Sequence, residues 1–165
     1  MKIKNWSKKD TLKAIFGLVL VIIVGVVSAS ISYHNSLYEQ TPGVYKKLNE
    51  GKLADGKYAM LFFRKDCKFC QKAMPIVQQE YKRKAQNVIF YKIDTASKTG
   101  KEIATDYSIN TTPTLINFEI KSGVMSPIQF HSITYMNQKK NKNNQIIVKR
   151  NVIHEVLQGK EVINE

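Results

Sequence analysis

The apolar positions of this chain form one long run near its start and several short runs after it. Residues 14–31 carry no charge and are rich in valine, isoleucine and leucine. A run of this length reaches the roughly 18 residues at which a helix can cross the hydrocarbon core of a membrane. It also lacks the polar face that a surface helix of a water-soluble domain would need. We therefore interpret residues 14–33 as a transmembrane anchor.

The charge before this segment predicts its orientation. Residues 1–13 contain five lysines and a single aspartate. Lysines and arginines beside a membrane segment tend to stay on the cytoplasmic side. We therefore expect a single-pass protein of the cell membrane, with residues 1–13 in the cytoplasm and the chain after Tyr33 outside.

A cleavable signal peptide is the alternative interpretation of the same segment. A basic start, an apolar stretch and the small residues of Val27-Ser28-Ala29 are typical of such peptides. The apolar core of a signal peptide usually has about 7–15 residues, and the present run is longer. This difference favours the uncleaved anchor.

After the anchor, short apolar runs alternate with amphipathic segments. They predict an α/β domain at residues 44–165, which a polar linker at residues 34–43 joins to the anchor. The predicted strands are 58–63, 88–94 and 115–118, with 128–135 as a hairpin partner. The predicted helices are 43–48, one that begins at the cysteines, a short one within 95–108, and one that ends at Gly159 and begins near Ile146. Residues 146–148 could instead extend a hairpin.

Two features of these elements can be predicted further. Cys70, Met74, Val77 and Tyr81 recur at steps of four, three and four residues, which places them on one apolar face of their helix. The strand, helix and strand over residues 88–118 are expected to form a right-handed crossover.

The only two cysteines lie in the sequence Asp66-Cys67-Lys68-Phe69-Cys70, directly after a predicted strand. Two thiols with two residues between them at a helix start are typical of reversible disulfide chemistry. Cys67 lies where unpaired backbone N–H groups and the helix dipole favour a thiolate, so we predict that it is the nucleophile. Cys70 points inward and is the predicted resolving thiol.

Neighbouring residues modulate this dithiol. Arg64, Lys65 and Lys68 add positive charge, whereas Asp66 opposes them and is also a possible N-cap of the helix. A zinc site is an alternative interpretation, but it would need two more ligands from histidines that are not locally paired. A purely structural disulfide is a poor alternative, because so small a loop adds little stability. We predict no metal and no cofactor beyond the Cys67–Cys70 disulfide.

The motifs around the dithiol resemble those of the thioredoxin superfamily. Pro75 lies five residues after the second cysteine, where that family has a helix-kinking proline. The strand at 88–94 ends in an acidic residue, as is common in the family, and the segment 107–114 resembles the approach to its cis-proline. The resemblance spans about residues 44–135 and implies a thioredoxin fold, in which helices flank a central mixed sheet.

The resemblance also implies roles for particular residues. Thr112 and Pro113 would form the substrate platform opposite the dithiol, with the backbone of Thr112 pairing with an extended substrate chain. Asp66 replaces the tryptophan that usually precedes the first cysteine. Leu61 replaces the buried acid that assists proton transfer at the second thiol, so a different proton route is implied. Phe69 resembles the aromatic residue common at its position in extracytoplasmic relatives.

The remaining composition adds little to this interpretation. The net charge is +13, and the basic run near residues 139–142 is expected to be a solvated loop, or else a contact for anionic lipid or wall polymer. No module for binding nucleic acid is visible. His131 is expected to be an ordinary side chain of its strand.

Together these features predict a membrane-anchored thiol–disulfide oxidoreductase that acts outside the cytoplasm. Its partners would be exported proteins with thiols or disulfides, and a redox partner that resets the dithiol. The balance of charges slightly favours an oxidase or isomerase. The alternative is a non-catalytic thioredoxin-like accessory of a secretion, bacteriocin-export or conjugation apparatus.

Overall fold

The computed structural model describes residues 8–50, 53–84, 87–137, 145–160 and 162. The chain divides into two compact units, Met1–Ser36 and Leu37–Glu165. The basic run near residues 139–142 lies outside the described residues.

The described part of the first unit lies in helix α1, Lys8–Leu37, whose last residue is the first of the second unit. Its stretch Thr11–Leu37 is long and apolar enough to cross a membrane, and none of its most apolar 18-residue window is buried by the protein. By length and composition it could be a membrane anchor or a signal sequence.

The second unit is an α/β domain. Its helices are α2 (Val44–Asn49), α3 (Lys68–Lys84), α4 (Lys98–Asp106) and α5 (Arg150–Leu157). Its strands are β1 (Gly56–Phe63), β2 (Val88–Asp94), β3 (Thr114–Lys121), β4 (Val124–Met125), β5 (Gln129–Ser132), β6 (Thr134–Asn137) and β7 (Gln145–Val148). The main sheet has the order β2-β1-β3-β4, with β5 also paired to β3, and β6 and β7 form a second sheet.

Strand β1 lies between β2 and β3 in the main sheet, and both of its faces are apolar. Alternate side chains of a strand point to opposite faces of the sheet. Leu61 and Phe63 belong to one buried cluster with residues of α3 and α5, whereas Met60 and Phe62 belong to another with residues of α2 and α4. Burial on both faces explains the continuous apolar run that predicts this strand.

The direction of β3 differs from the sequence-based prediction. Strand β1 pairs parallel with β2 and antiparallel with β3. The segment from β2 through α4 to β3 therefore does not join parallel strands, and the predicted right-handed crossover there is wrong. The parallel pair is joined instead by α3, which carries the dithiol.

The predicted hairpin strand at residues 128–135 is divided in the structure. Within this segment only Gln129–Ser132, strand β5, pairs with β3. Ile133 is fully buried in the cluster shared with α3 and α5, and its carbonyl accepts the backbone N–H of Lys149. Beyond Ile133, β6 pairs with β7, so residues 145–148 form a strand and the C-terminal helix begins only at Arg150.

One further prediction needs correction, and part of the predicted linker can be described. Tyr81, expected on the buried face of α3, is 37% exposed and packs on Phe90 with ring centroids 4.9 Å apart, whereas Met74 and Val77 are buried. Part of the predicted linker is ordered against the sheet: the Thr41 N–H donates to the Lys92 carbonyl at 2.9 Å, and the Lys92 N–H donates to the Thr41 hydroxyl at 2.9 Å. Burial of apolar side chains at positions 37 and 38 accounts for this order.

Helix α5 is attached to the dithiol helix through a buried carboxylate. Glu80 of α3 is buried, and its two oxygens face Arg150 Nε at 3.5 Å and His154 Nδ1 at 3.0 Å. A buried carboxylate requires such partners, because an unpaired one would cost several kcal/mol, on the order of 3–5.

Candidate redox site

The dithiol lies at the start of α3, just past the carboxyl end of β1. Cys67 directly precedes α3 and is half-buried, whereas Cys70 is completely buried. Both cysteines are free thiols. The sequence thus predicted correctly that an accessible sulfur lies above a sheltered one.

The sulfur of Cys67 acts as the N-cap of α3. It accepts the backbone N–H of Cys70 at 3.4 Å, and the Cys67 carbonyl accepts the first N–H of the next turn, from Gln71, at 2.9 Å. The prediction that Asp66 caps the helix is therefore wrong, because the helix begins one residue later than that role requires. This cap places a backbone N–H of the first helical turn directly against the Cys67 sulfur, where it can stabilise a thiolate.

The Thr112-Pro113 bend faces this sulfur. The Thr112-Pro113 peptide bond is cis, as the resemblance implies. The Cys67 thiol donates to the Thr112 carbonyl at 3.4 Å. The structure therefore brings together the two cysteines and the bend, which are 45 residues apart along the chain.

The two thiols differ in acidity. Partial burial acts to raise the pKa of Cys67, but hydrogen bonds from the Cys70 backbone, the Cys70 thiol and the Thr112 side chain outweigh it, so this pKa lies below its ordinary value. Burial raises the pKa of Cys70 to about 12. At neutral pH the thiolate therefore forms preferentially on Cys67.

Asp66 does not act on Cys67 as a free charge. The Arg64 Nε donates to one carboxylate oxygen at 3.0 Å and Nη2 donates to the other at 2.5 Å. This bidentate pair compensates most of the charge of Asp66. Lys68 is exposed and Phe69 half-buried at the same helix start. The sequence analysis identified all four residues but not the pairing of Arg64 with Asp66.

Breaking this pair is expected to shift the pKa of Cys67 in a direction that depends on which partner is removed. Arg64→Gln leaves the Asp66 carboxylate unpaired and removes a positive charge, so the pKa should rise. Asp66→Asn frees the guanidinium, so the pKa should fall. The ultraviolet absorbance of the thiolate across a pH titration measures both shifts, which salt should reduce because the pair is exposed. Shifts of the same sign in both variants would contradict this electrostatic account.

Sequence reasoning missed one residue near the dithiol. Tyr38 is buried in the same cluster as Cys70 and Leu61, and its ring centroid lies 6.2 Å from that of Phe63. Burial, and secondarily the negative charge of a Cys70 thiolate, raises the pKa of Tyr38. The apolar character of Leu37 and Tyr38, at the end of the long helix and directly after it, was the available signal. The titratable phenol of Tyr38 thus lies in the same buried cluster as Leu61, the residue that stands where the resemblance would place a buried acid.

His131 and the possible metal ligands can be placed as well. His131 is a buried side chain of β5, its Nε2 lies 2.6 Å from Asn117 Oδ1, and burial lowers its pKa. Within the described ranges, no group of three or more His, Cys, Asp or Glu side chains could hold a metal ion.

Comparisons with known proteins agree with this fold. The family model described as "TraF: F plasmid transfer operon protein" matches residues 46–141, which is more than half of the chain and includes both cysteines and the proline bend. A search of curated proteins found no match.

Similar solved structures include three thioredoxins. The thioredoxin of Malassezia sympodialis is 22% identical over 52% of this chain and 71% of that chain, with a TM-score of 0.43. Thioredoxin O2 of Arabidopsis thaliana is 17% identical over 53% and 77%, with a TM-score of 0.42. A mutant thioredoxin of Halobacterium salinarum is 15% identical over 72% and 88%, with a TM-score of 0.44.

The family match covers the helix that carries the dithiol, the mixed sheet beneath it and the proline bend opposite the sulfur. The chain is a member of the thioredoxin superfamily and belongs to its TraF family, described as F plasmid transfer operon protein.

Proposed function

We propose that this protein is a thiol–disulfide oxidoreductase that exchanges disulfides with exported proteins. The observation that carries the proposal is the asymmetry of the two sulfurs. Cys67 is half-buried, caps a helix and has a lowered pKa, whereas Cys70 is buried directly behind it and its pKa is raised to about 12. The Cys67 sulfur can therefore react with a partner as a thiolate, while the Cys70 sulfur stays protonated until it attacks the mixed disulfide.

In the reducing direction, the Cys67 thiolate attacks one sulfur of a substrate disulfide. A bond forms between Cys67 and that sulfur, and the other substrate sulfur leaves as a thiolate that takes a proton from water. Cys70 then loses its proton and attacks Cys67, which releases the first substrate sulfur as a thiolate. Two electrons pass to the substrate, and the Cys67–Cys70 disulfide remains until a dithiol partner reduces it. In the oxidising direction every step is reversed.

The substrate chain would lie along the Thr112-Pro113 bend. The Thr112 carbonyl already accepts the Cys67 thiol, so a partner sulfur that reaches Cys67 must come close to this backbone. We assign the positioning of substrate to Thr112 and Pro113, and tuning of Cys67 to Asp66, Lys68 and Phe69. The lowered pKa of Cys67 stabilises the reduced form and favours an oxidase or isomerase.

We place this activity at the outer face of the cell membrane. Helix α1 is apolar enough to be a membrane anchor, and the five lysines of residues 1–13 favour a cytoplasmic N-terminus. An oxidising compartment outside would supply disulfides as substrates.

The pH dependence of alkylation tests the proposal. In the full chain, the rate at which iodoacetamide modifies Cys67 should rise with pH, with a midpoint below the pKa of an ordinary thiol, about 8.5. The sign follows from the thiolate, which is the reacting form and is favoured when the pKa is lowered. Cys70 should stay unmodified over the same range, and mass spectrometry can distinguish the two sites.

Denatured protein is the control for this titration, because both cysteines should then react with an ordinary pH dependence. A midpoint for native Cys67 at or above that of the denatured chain would refute the proposed activation of this thiol.

A second candidate function is suggested by the family description. Its words "F plasmid transfer operon protein" point to a conjugative transfer apparatus, in which this domain could bind and hold a partner without thiol chemistry. Serine variants of the cysteines, treated in the Discussion, distinguish the two functions.

A further inference from the structure

A cleft of about 270 Å³ opens beside the Thr112-Pro113 bend. One wall is the loop before β3, with Ser108 and Thr111, and the other wall is β5, with Phe130 and Ser132. Antiparallel pairing of β3 with β5 holds the two walls together. The cleft is therefore part of the sheet framework that also positions the bend.

The cleft is within reach of a chain that reacts at Cys67. Thr111 and Thr114, which both line it, are the immediate neighbours of Thr112 and Pro113. Thr112 in turn places its carbonyl 3.4 Å from the Cys67 sulfur. A polypeptide bound across the bend would therefore run next to residues that line the cleft.

The lining is neutral, although the chain as a whole is strongly charged. Among the described residues, no lysine, arginine, aspartate or glutamate lines the cleft, whereas the sequence contains 26 basic and 13 acidic residues. Burial lowers the pKa of His131, which keeps this ring uncharged at neutral pH. A charged side chain entering the cleft would lose hydration and gain no ion pair in return.

The chemistry of the walls suits an aromatic side chain. Phe130 leaves 54% of its surface exposed, so its ring is available for packing against a second ring. Ser108, Thr111 and Ser132, which also line the cleft, each carry a hydroxyl group. The Ser132 hydroxyl donates to the Thr134 carbonyl at 3.0 Å and keeps its lone pairs to accept a phenol O–H. A tyrosine would satisfy both parts of the lining.

The position of that side chain relative to the reacting cysteine follows from the geometry of an extended chain. Successive side chains point to opposite sides, and residues two apart point to the same side. When the cysteine points to Cys67, the side chains two residues away also point to the protein. Those one residue away point to solvent.

We propose that this cleft binds an aromatic side chain, preferably tyrosine, two residues from the reacting cysteine of an extended substrate polypeptide. The inference rests on the proposed function, because it assigns the selectivity of the same site.

Short peptides with one cysteine, each joined to glutathione through a disulfide, test the inference. The full chain, with its dithiol reduced, should release a peptide with tyrosine two residues from the cysteine about three to ten times faster than one with aspartate or lysine there. The same residues placed next to the cysteine should change the rate by less than about twofold, since they face solvent. The measured quantity is the second-order rate constant for release of the reduced peptide in a single turnover, which leaves the Cys67–Cys70 pair as a disulfide.

Phe130→Ala should reduce the preference for tyrosine to less than about twofold, because it removes the ring that forms one wall. Val124→Ala is the matched control: Val124 is a 70% exposed residue of β4 and does not line the cleft. This variant should keep the full preference.

Equal rates for tyrosine and aspartate two residues from the cysteine would overturn the cleft assignment, and so would a full preference in Phe130→Ala. In both cases the protein would still exchange disulfides, and the proposed function would remain. Failure of the wild-type chain to react with any of the peptides or with glutathione disulfide would instead overturn the proposed function, and the cleft assignment with it.

Discussion

Replacement of Cys70 by serine is expected to accumulate substrate proteins covalently bound to Cys67. Under the proposed function the mixed disulfide of the wild-type protein should be short-lived, because Cys70 lies beside Cys67 and would attack it intramolecularly. Effective molarities for such well-placed groups can reach roughly 10⁵ M, far above the millimolar concentration of external thiols. Loss of Cys70 should therefore prolong the mixed disulfide by on the order of a thousandfold or more.

Electrophoresis of membrane extracts without reductant measures this accumulation, and adducts that dithiothreitol removes count as mixed disulfides. Cys67→Ser should form few adducts, because the buried Cys70 has a pKa of about 12 and is almost entirely protonated at neutral pH. The double serine variant is the background control. Equal trapping by the two single variants would contradict the assigned roles.

The same variants distinguish the enzyme from a binding accessory. If the protein is an enzyme, neither single serine variant should restore the wild-type phenotype when it is expressed in a strain that lacks the gene. Full complementation by both variants would instead support the accessory role, since binding alone would then be sufficient.

Replacement of Gly100 by alanine is expected to destabilise the domain by about 3 kcal/mol. Gly100 is buried in α4, and its N–H donates to the Ser97 hydroxyl at 2.9 Å, the cap that begins this helix. A Cβ at this position would lie 1.9 Å from the carbonyl oxygen of Asp94 and 2.6 Å from its carbonyl carbon. These are backbone atoms at the end of β2 and cannot rotate away, so helix and strand must separate.

Helix propensity alone predicts the opposite sign. Alanine is preferred over glycine by about 1 kcal/mol in a helix interior, so a site with free space would be stabilised. Urea unfolding of the full chain in detergent measures the difference. Lys101→Ala is the matched control, because Lys101 is an exposed residue of the same helix and should change stability by less than about 0.5 kcal/mol. A stability of Gly100→Ala equal to or above that of the wild type would show that the helix does not pack this closely on β2.

Most regular elements of the domain could be predicted because their signals are local. Strand β2 was predicted with its observed bounds, since an apolar run with β-branched and aromatic residues ends there at Asp94. The spacing of Cys70 with Met74 and Val77 predicted a buried sulfur on the apolar face of α3, and the position of Cys67 at the helix start predicted an accessible one. The resemblance of residues 107–114 likewise predicted the cis bond at Pro113.

The failed predictions concern contacts between distant segments. Nothing in the run from residue 128 to 135 indicates that the chain changes partner at Ile133, because an apolar residue suits either sheet. Tyr38 was assigned to a linker, since its burial depends on the side chains of α3 and β1. The Phe130 cleft also needs two segments that only the pairing of β3 with β5 brings together.

The sequence by itself determined the apolar first helix, the type of most elements and the position of the two cysteines at the start of a helix. These properties depend on the composition and period of short segments, and each segment carries that information alone. Only the tertiary structure decided the direction of β3, the pairing of Arg64 with Asp66, the burial of Tyr38 and the neutral cleft beside the bend. Each of these depends on which surfaces meet after folding, and many partners would satisfy the same local pattern of apolar and polar residues.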